Sequence, residues 1–98
     1  MCVAVGDVVS GLVSVAAGGV LDIRPAAGVE WVIHNIYHAF DVDLAFTDGT
    51  NVLVFDTDVG AGVYAKYAFH ATNTRWIRVI NKDMAAARLI GYCGIQTK

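Results

Sequence analysis

The stretch Gly28-Val-Glu-Trp-Val-Ile-His-Asn-Ile-Tyr-His38 limits what this chain can become more than any other part of it. Its branched and planar side chains suit a pleated surface, and the branched ones lose rotamer freedom in a helix. The spacing predicts a strand over residues 29–38. Alternation then puts Val29, Trp31, Ile33, Asn35 and Tyr37 on one face and Glu30, Val32, His34, Ile36 and His38 on the other. The first face reads as core. The second mixes polar and apolar groups, as a face does when a neighbouring subunit covers part of it.

Seven further segments share this character: residues 8–17, 20–24, 43–47, 52–56, 64–71, 75–81 and 87–97. Between two of them stands Asp48-Gly49-Thr-Asn51. Asp-Gly between apolar runs is a strong hairpin signal, because the tight turn needs angles that glycine tolerates. Gly18-Gly19, Pro25-Ala-Ala-Gly28, residues 57–62 and Thr72-Asn-Thr74 read as turns or loops, with the glycine-rich 57–62 segment mobile. Gly91 and Gly94 fall inside the last strand, where a missing side chain marks a bulge or the close approach of another backbone. Residues 84–87 are too few for more than one helical turn. Eight strands at roughly ten-residue spacing predict an all-β protein, a single-domain jelly-roll-like β-sandwich over residues 1–98. Unequal strands and one sure hairpin argue against a closed up-and-down barrel.

A sandwich this small has a limited interior, and here composition decides the next step. Apolar residues make up 56% of the 98 and charged ones 16%, against about 45–50% and 25% in an ordinary domain. A lone molecule would leave the excess in water. A membrane, a permanent partner or copies of the chain itself could cover it. No window of about 18 apolar residues is free of charges or glycine runs, so no spanning helix is expected. Residues 1–20 are apolar, but they lack a basic start and contain Asp7 with several glycines and serines, a poor signal peptide. The formal net charge of −2, with Lys66, Arg75, Arg78, Lys82 and Arg88 scattered, argues against a nucleic-acid partner held through phosphates. Cys2 and Cys93 stand near opposite ends; a disulfide between them stays open beside a free terminal thiol and a small buried hydrophobe. Self-association of a protein assembled in the cytoplasm is the expectation.

Constellations suited to chemistry are sparse. His34 and His38 point to one face but sit roughly 13 Å apart along the strand. A zinc- or nickel-type ion between them needs a bend or a three-fold axis. A cupin-like metal centre needs His34, His38 and His70 to converge with a carboxylate. Asp56-Thr-Asp58-Val-Gly60 opens like a calcium loop but lacks the late bidentate glutamate, and acids in turns commonly accept bonds from backbone amides. Ser10, Ser14 and Cys93 stand outside any nucleophile elbow. Gly60-Ala-Gly62 precedes no helix that could hold a phosphate. No catalytic, cofactor-binding or metal-binding residue is assigned, and no enzyme is expected. The aromatics read as core and interface anchors rather than platforms for sugars. Trp31, His34, Tyr37, Tyr64, Tyr67 and Trp76 are the residues expected between subunits.

Pro25-Ala-Ala-Gly-Val-Glu-Trp-Val-Ile-His-Asn-Ile-Tyr37, Phe46-Thr-Asp-Gly-Thr50, Tyr67-Ala-Phe-His70, Thr72-Asn-Thr-Arg75 and Leu89-Ile-Gly-Tyr92 resemble small structural proteins of tailed bacteriophages. The nearest likeness is to capsid decoration (cement) proteins, with related β-domains in tail and fibre components. The resemblance implies a β-sandwich protomer, trimeric on the outer capsid surface of the virion. It would lock neighbouring major capsid proteins against internal DNA pressure, with loops 25–28 and 57–62 meeting the shell or the next subunit. A receptor- or carbohydrate-binding domain of a tail fibre or spike is the other expectation.

Overall fold

The strand predicted over residues 29–38 lies in the middle of a sheet. In a computed structural model describing residues 4–98 it is β3 (Glu30–His38), paired along one side with β9 (Arg88–Gln96). Its other side holds β7 (Phe69–Thr72) at one end and β6 (Gly62–Tyr64) at the other. β1 (Val8–Val15) completes this first sheet beyond β9. The second sheet runs β2 (Val20–Ile23), β8 (Trp76–Asn81), β4 (Val42–Thr47), β5 (Val52–Asp58). Every pairing is antiparallel, and the described residues form nine strands and no helix. Successive strands change sheet except at the β4–β5 hairpin and between β6 and β7, which is the connectivity of a jelly-roll sandwich. No helix among the described residues is long and apolar enough to cross a membrane.

Ile33, Ile36 and Ile90 from the first sheet meet Ile23, Leu44, Ile77 and Val79 from the second, all buried. Each such side chain contributes about 1.5–3 kcal/mol by leaving water. The Asn81 amide, buried at one end of this core, reaches the carbonyls of Val15, Ala16 and Ala86 at 3.1, 3.2 and 3.3 Å. It fastens β8 to the connections leaving β1 and entering β9.

The expected alternation of β3 fails at His34. Pairing with β9 slips between Ile33 and Asn35, so His34 is an extra residue without an opposite number. One extra residue reverses the faces of everything beyond it. Ile36 and His38 join Ile33 in the core, while Asn35 and Tyr37, expected inside, turn outward. The expected alignment of His34 with His38 is lost for the same reason. The bulge also divides the strand expected over residues 64–71. β6 and β7 pair with β3 on either side of it, because a partner running straight through could not follow both halves.

Smaller corrections follow local hydrogen bonds. Residues 84–87 turn without a helix: the Asp83 carboxylate accepts the amides of Ala85 and Ala86 at 2.9 and 3.2 Å and Arg88 Nε at 2.7 Å. β5 runs to Asp58, which shortens the expected loop 57–62 to residues 59–61. β1 pairs with β9 of its own chain, and its flank closes with Gly6 N to Gln96 O at 2.8 Å and Gln96 N to Asp7 O at 3.0 Å. The first and last strands therefore end side by side. Cys93 is a free, half-buried thiol; a pairing with Cys2 lies outside the described residues.

Candidate interaction surface

The outward side of the first sheet follows from the strand register. Val8, Ile95, Val32 and His70 form one row across it, and Ser10, Cys93 and Asn35 the next. Leu12, Gly91, Tyr37 and Val63 form the third, and Ser14 and Leu89 the fourth. None of these residues is Asp, Glu, Lys or Arg. An ion pair between Glu30 and Lys98, 3.6 Å apart, stands at the margin. Val8, Leu12, Tyr37, Val63, Leu89 and Ile95 are exposed, Leu12 at 70% of its surface. A sheet with one wet side ordinarily carries polar residues there, and a large exposed apolar patch on a soluble protein marks a contact site.

Gly91 shapes the middle of that face. With no side chain between them, Leu12 and Tyr37 rise on either side of a cleft of about 470 Å³, lined also by Ser10, Gly11, Tyr92 and Cys93. A Cβ on Gly91 would come within 2.8 Å of the Gly11 carbonyl oxygen and 3.2 Å of Leu12 Cδ1. Burial pushes the Tyr92 hydroxyl above its ordinary pKa.

A second apolar surface belongs to the β4–β5 hairpin. Register slips between Leu44 and Ala45, which leaves Phe55 as the extra residue on β5. Val52, Leu53, Val54 and Phe55 are all exposed, Leu53 at 65%, with Phe46 beside them. The Phe55 ring meets Phe69 of β7 with centroids 5.3 Å apart. The turn that starts this hairpin is held by Asp48, whose carboxylate accepts the amides of Asn51 and Thr50 at 2.7 and 2.9 Å and the Asn51 side-chain amide at 3.1 Å. Led by the Asn51 amide, these bonds hold its pKa down at about 2.

His38 is the polar exception in the core. Its Nδ1 lies 2.8 Å from Gly60 O and 3.0 Å from Phe40 O, and its Nε2 lies 2.7 Å from Asp58 Oδ2. All three neighbours are oxygen atoms that can accept a hydrogen bond from the ring. Asp41 Oδ1 accepts Gly60 N at 2.7 Å, and the loop 59–61, expected to be mobile, is tied to β3 through these bonds. Asp56 accepts the Tyr64 hydroxyl at 2.8 Å and Lys66 Nζ at 3.4 Å. The Tyr64 bond leads the effects that lower the Asp56 pKa, while burial and then the Asp56 bond push the Tyr64 hydroxyl well up. The two carboxylates of the calcium-like opening thus face Tyr64, Lys66 and His38. Among the described residues no group of three or more His, Cys, Asp or Glu is placed to hold a metal ion. Ser10 and Ser14 stand on the outward face and His38 on the inward one, so they form no nucleophile–base pair.

No protein-family model matches the chain, and no curated protein matches it. What the surface does must follow from its own chemistry.

Of the residues expected between subunits, Tyr37 and Tyr67 are exposed, and Trp31 and His34 are half-buried. Tyr64 and Trp76 keep only 2% and 3% of their surface. Trp31 stacks on Tyr92 with centroids 6.1 Å apart, Tyr64 on Phe69 at 6.1 Å, and Trp76 lies under the Arg24 guanidinium at 4.1 Å. Tyr37 is the one of the six that lines the cleft. Sequence reasoning does not single out Leu12 or Leu53, and it marks Gly91 only as a bulge or a close backbone approach. The signal available for Leu12 is that Val8, Ser10, Leu12 and Ser14 alternate with a purely apolar or glycine set, which leaves an uncharged outward side.

Proposed function

We propose that this protein is a non-enzymatic structural subunit of a tailed-bacteriophage virion, a capsid decoration or cement protein. In this reading it self-associates as a homotrimer on the outer capsid surface and bridges major capsid proteins. The observation that carries it is the uncharged, exposed outward face of the first sheet, which is costly in water and gains about 1.5–3 kcal/mol for each large apolar side chain that a neighbour covers. A jelly roll serves capsid and lectin domains alike, so the fold does not choose between them. The likeness of residues 25–37 and 46–50 to phage decoration proteins supports the place and the partner. Neither nucleic acid nor membrane enters the reading.

A second reading, a carbohydrate- or receptor-binding domain of a tail fibre or spike, draws on Tyr37 at the cleft wall as a surface for stacking a sugar. A sugar site needs several fixed polar groups, and the cleft lining is mostly apolar. Sedimentation equilibrium at micromolar concentration is expected to give three times the mass of the chain, and a glycan array is expected to show no binding. A monomer would sink the assembly reading; selective glycan binding would favour the second.

A further inference from the structure

We infer that copies of this chain join edge to edge, β1 of one protomer against β5 of the next, so that each protomer contributes two unlike edges. The inference rests on the self-association proposed above and adds to it a contact between strand edges, distinct from any cover of the outward face. Unpaired strand edges recruit other strands, and proteins guard them with short strands, charge, lysine, proline or bulges. The four edges of this sandwich are not guarded alike.

β6 and β7 are three and four residues long and are separated by a segment that carries Lys66. β2 is four residues long and bears the Asp22–Arg78 ion pair at 2.7 Å. β1 and β5, in contrast, run eight and seven residues. β1 reads Val-Val-Ser-Gly-Leu-Val-Ser-Val without a charge. β5 opens Val-Leu-Val-Phe with all four side chains exposed, while its Asp56 and Asp58 are engaged by Tyr64 and His38. The Phe55 bulge bends β5 only after Val54, so its straight run faces the neighbour first.

The positions of these two edges select the symmetry. β1 lies against β2, and β5 lies against β7 through Phe55 and Phe69, so the unguarded edges sit on opposite flanks and in different sheets. A contact of one flank with the opposite flank is heterologous, and repetition closes a ring or runs on as a filament. It suits a trimer, whereas a two-fold contact between identical edges yields dimers. The partner is therefore a second copy: the two strands are of similar length, both lack an exposed charge along the meeting run, and among the described residues no further strand pairs with either edge.

The test uses Leu12→Lys on β1 and Leu53→Lys on β5, both at exposed positions, with Ser10→Lys and Val52→Lys as second variants on the same edges. Each variant is expected to unfold in one cooperative transition, as a folded chain does, and to sediment as a monomer. Mixed in equal amounts, a β1 variant and a β5 variant are expected to form a one-to-one heterodimer and nothing larger, because the mixture holds a single intact pair of edges. Single variants that still dimerise, a mixture that stays monomeric, or variants that keep the wild-type oligomer overturn the inference while leaving self-association standing. A monomeric wild-type chain overturns both.

Discussion

At Gly94 there is no room for a single methyl group. A Cβ there would overlap the Val32 carbonyl oxygen and stand 2.8 and 2.9 Å from Ile33 Cδ1 and Cα. Backbone cannot swing aside as a side-chain tip can, so Gly94→Ala is expected to cost about 3 kcal/mol, near the top of the usual overpacking range. An unchanged urea midpoint would contradict that close approach. A glycine inside a strand already signals either a bulge or a near backbone, and here both lie in the facing strand. Asp48 was legible for a different reason: an aspartate before glycine can reach the amides of its own turn. Its folded pKa of about 2 lies below the ordinary 3.8. The stabilisation it provides is therefore complete above about pH 4 and is lost as pH falls through about 2. A carbon-13 titration of its carboxyl group should place the midpoint near 2; a midpoint near the ordinary value would show that the turn bonds are not formed.

Among the elements, β3 shows where reading by alternation stops working. Nothing in Trp-Val-Ile-His-Asn-Ile-Tyr-His marks one residue as extra, and both parities offer an apolar side. The clue is that Ile33 and Ile36, three apart, are both buried, which a regular strand cannot achieve. Which parity holds is set by Gly94 and by the division between β6 and β7, far away in the chain. Removing His34 should regularise the ladder and keep every core side chain in place. Removing Val32 either turns Trp31 outward or replaces Ile33 with His34 inside. The Val32 deletion is accordingly expected to lose about 3 kcal/mol more than the His34 deletion. Urea unfolding of both proteins checks the order, and equal losses would mean that the slip does not sit at His34. The β4–β5 hairpin, in contrast, follows from a four-residue turn whose chemistry is entirely local, and its bounds were readable within two residues.

For the whole molecule, uneven strand lengths and a lone tight hairpin were enough to indicate a jelly-roll sandwich. The excess of apolar residues was equally plain. Its location was not, because whether Leu12 or Val9 is covered depends on which face of the first sheet meets the second, a property of assembly in space rather than of neighbouring residues. The aromatics illustrate this: Tyr64 and Trp76 fill the chain's own packing, and aliphatic residues of β1 and β5 carry the open surface instead.

The pairing of β1 with β9 has a practical corollary. β1 begins and β9 ends at one pole of the sandwich. A circular permutant, with a short Gly/Ser linker joining the end of β9 to the start of β1 and new ends opened within residues 25–28, should fold and melt like the parent, as scanning calorimetry can establish. A cargo joined directly before β1 or after β9 would then project from the same pole of every protomer, which makes the protein a candidate scaffold for display.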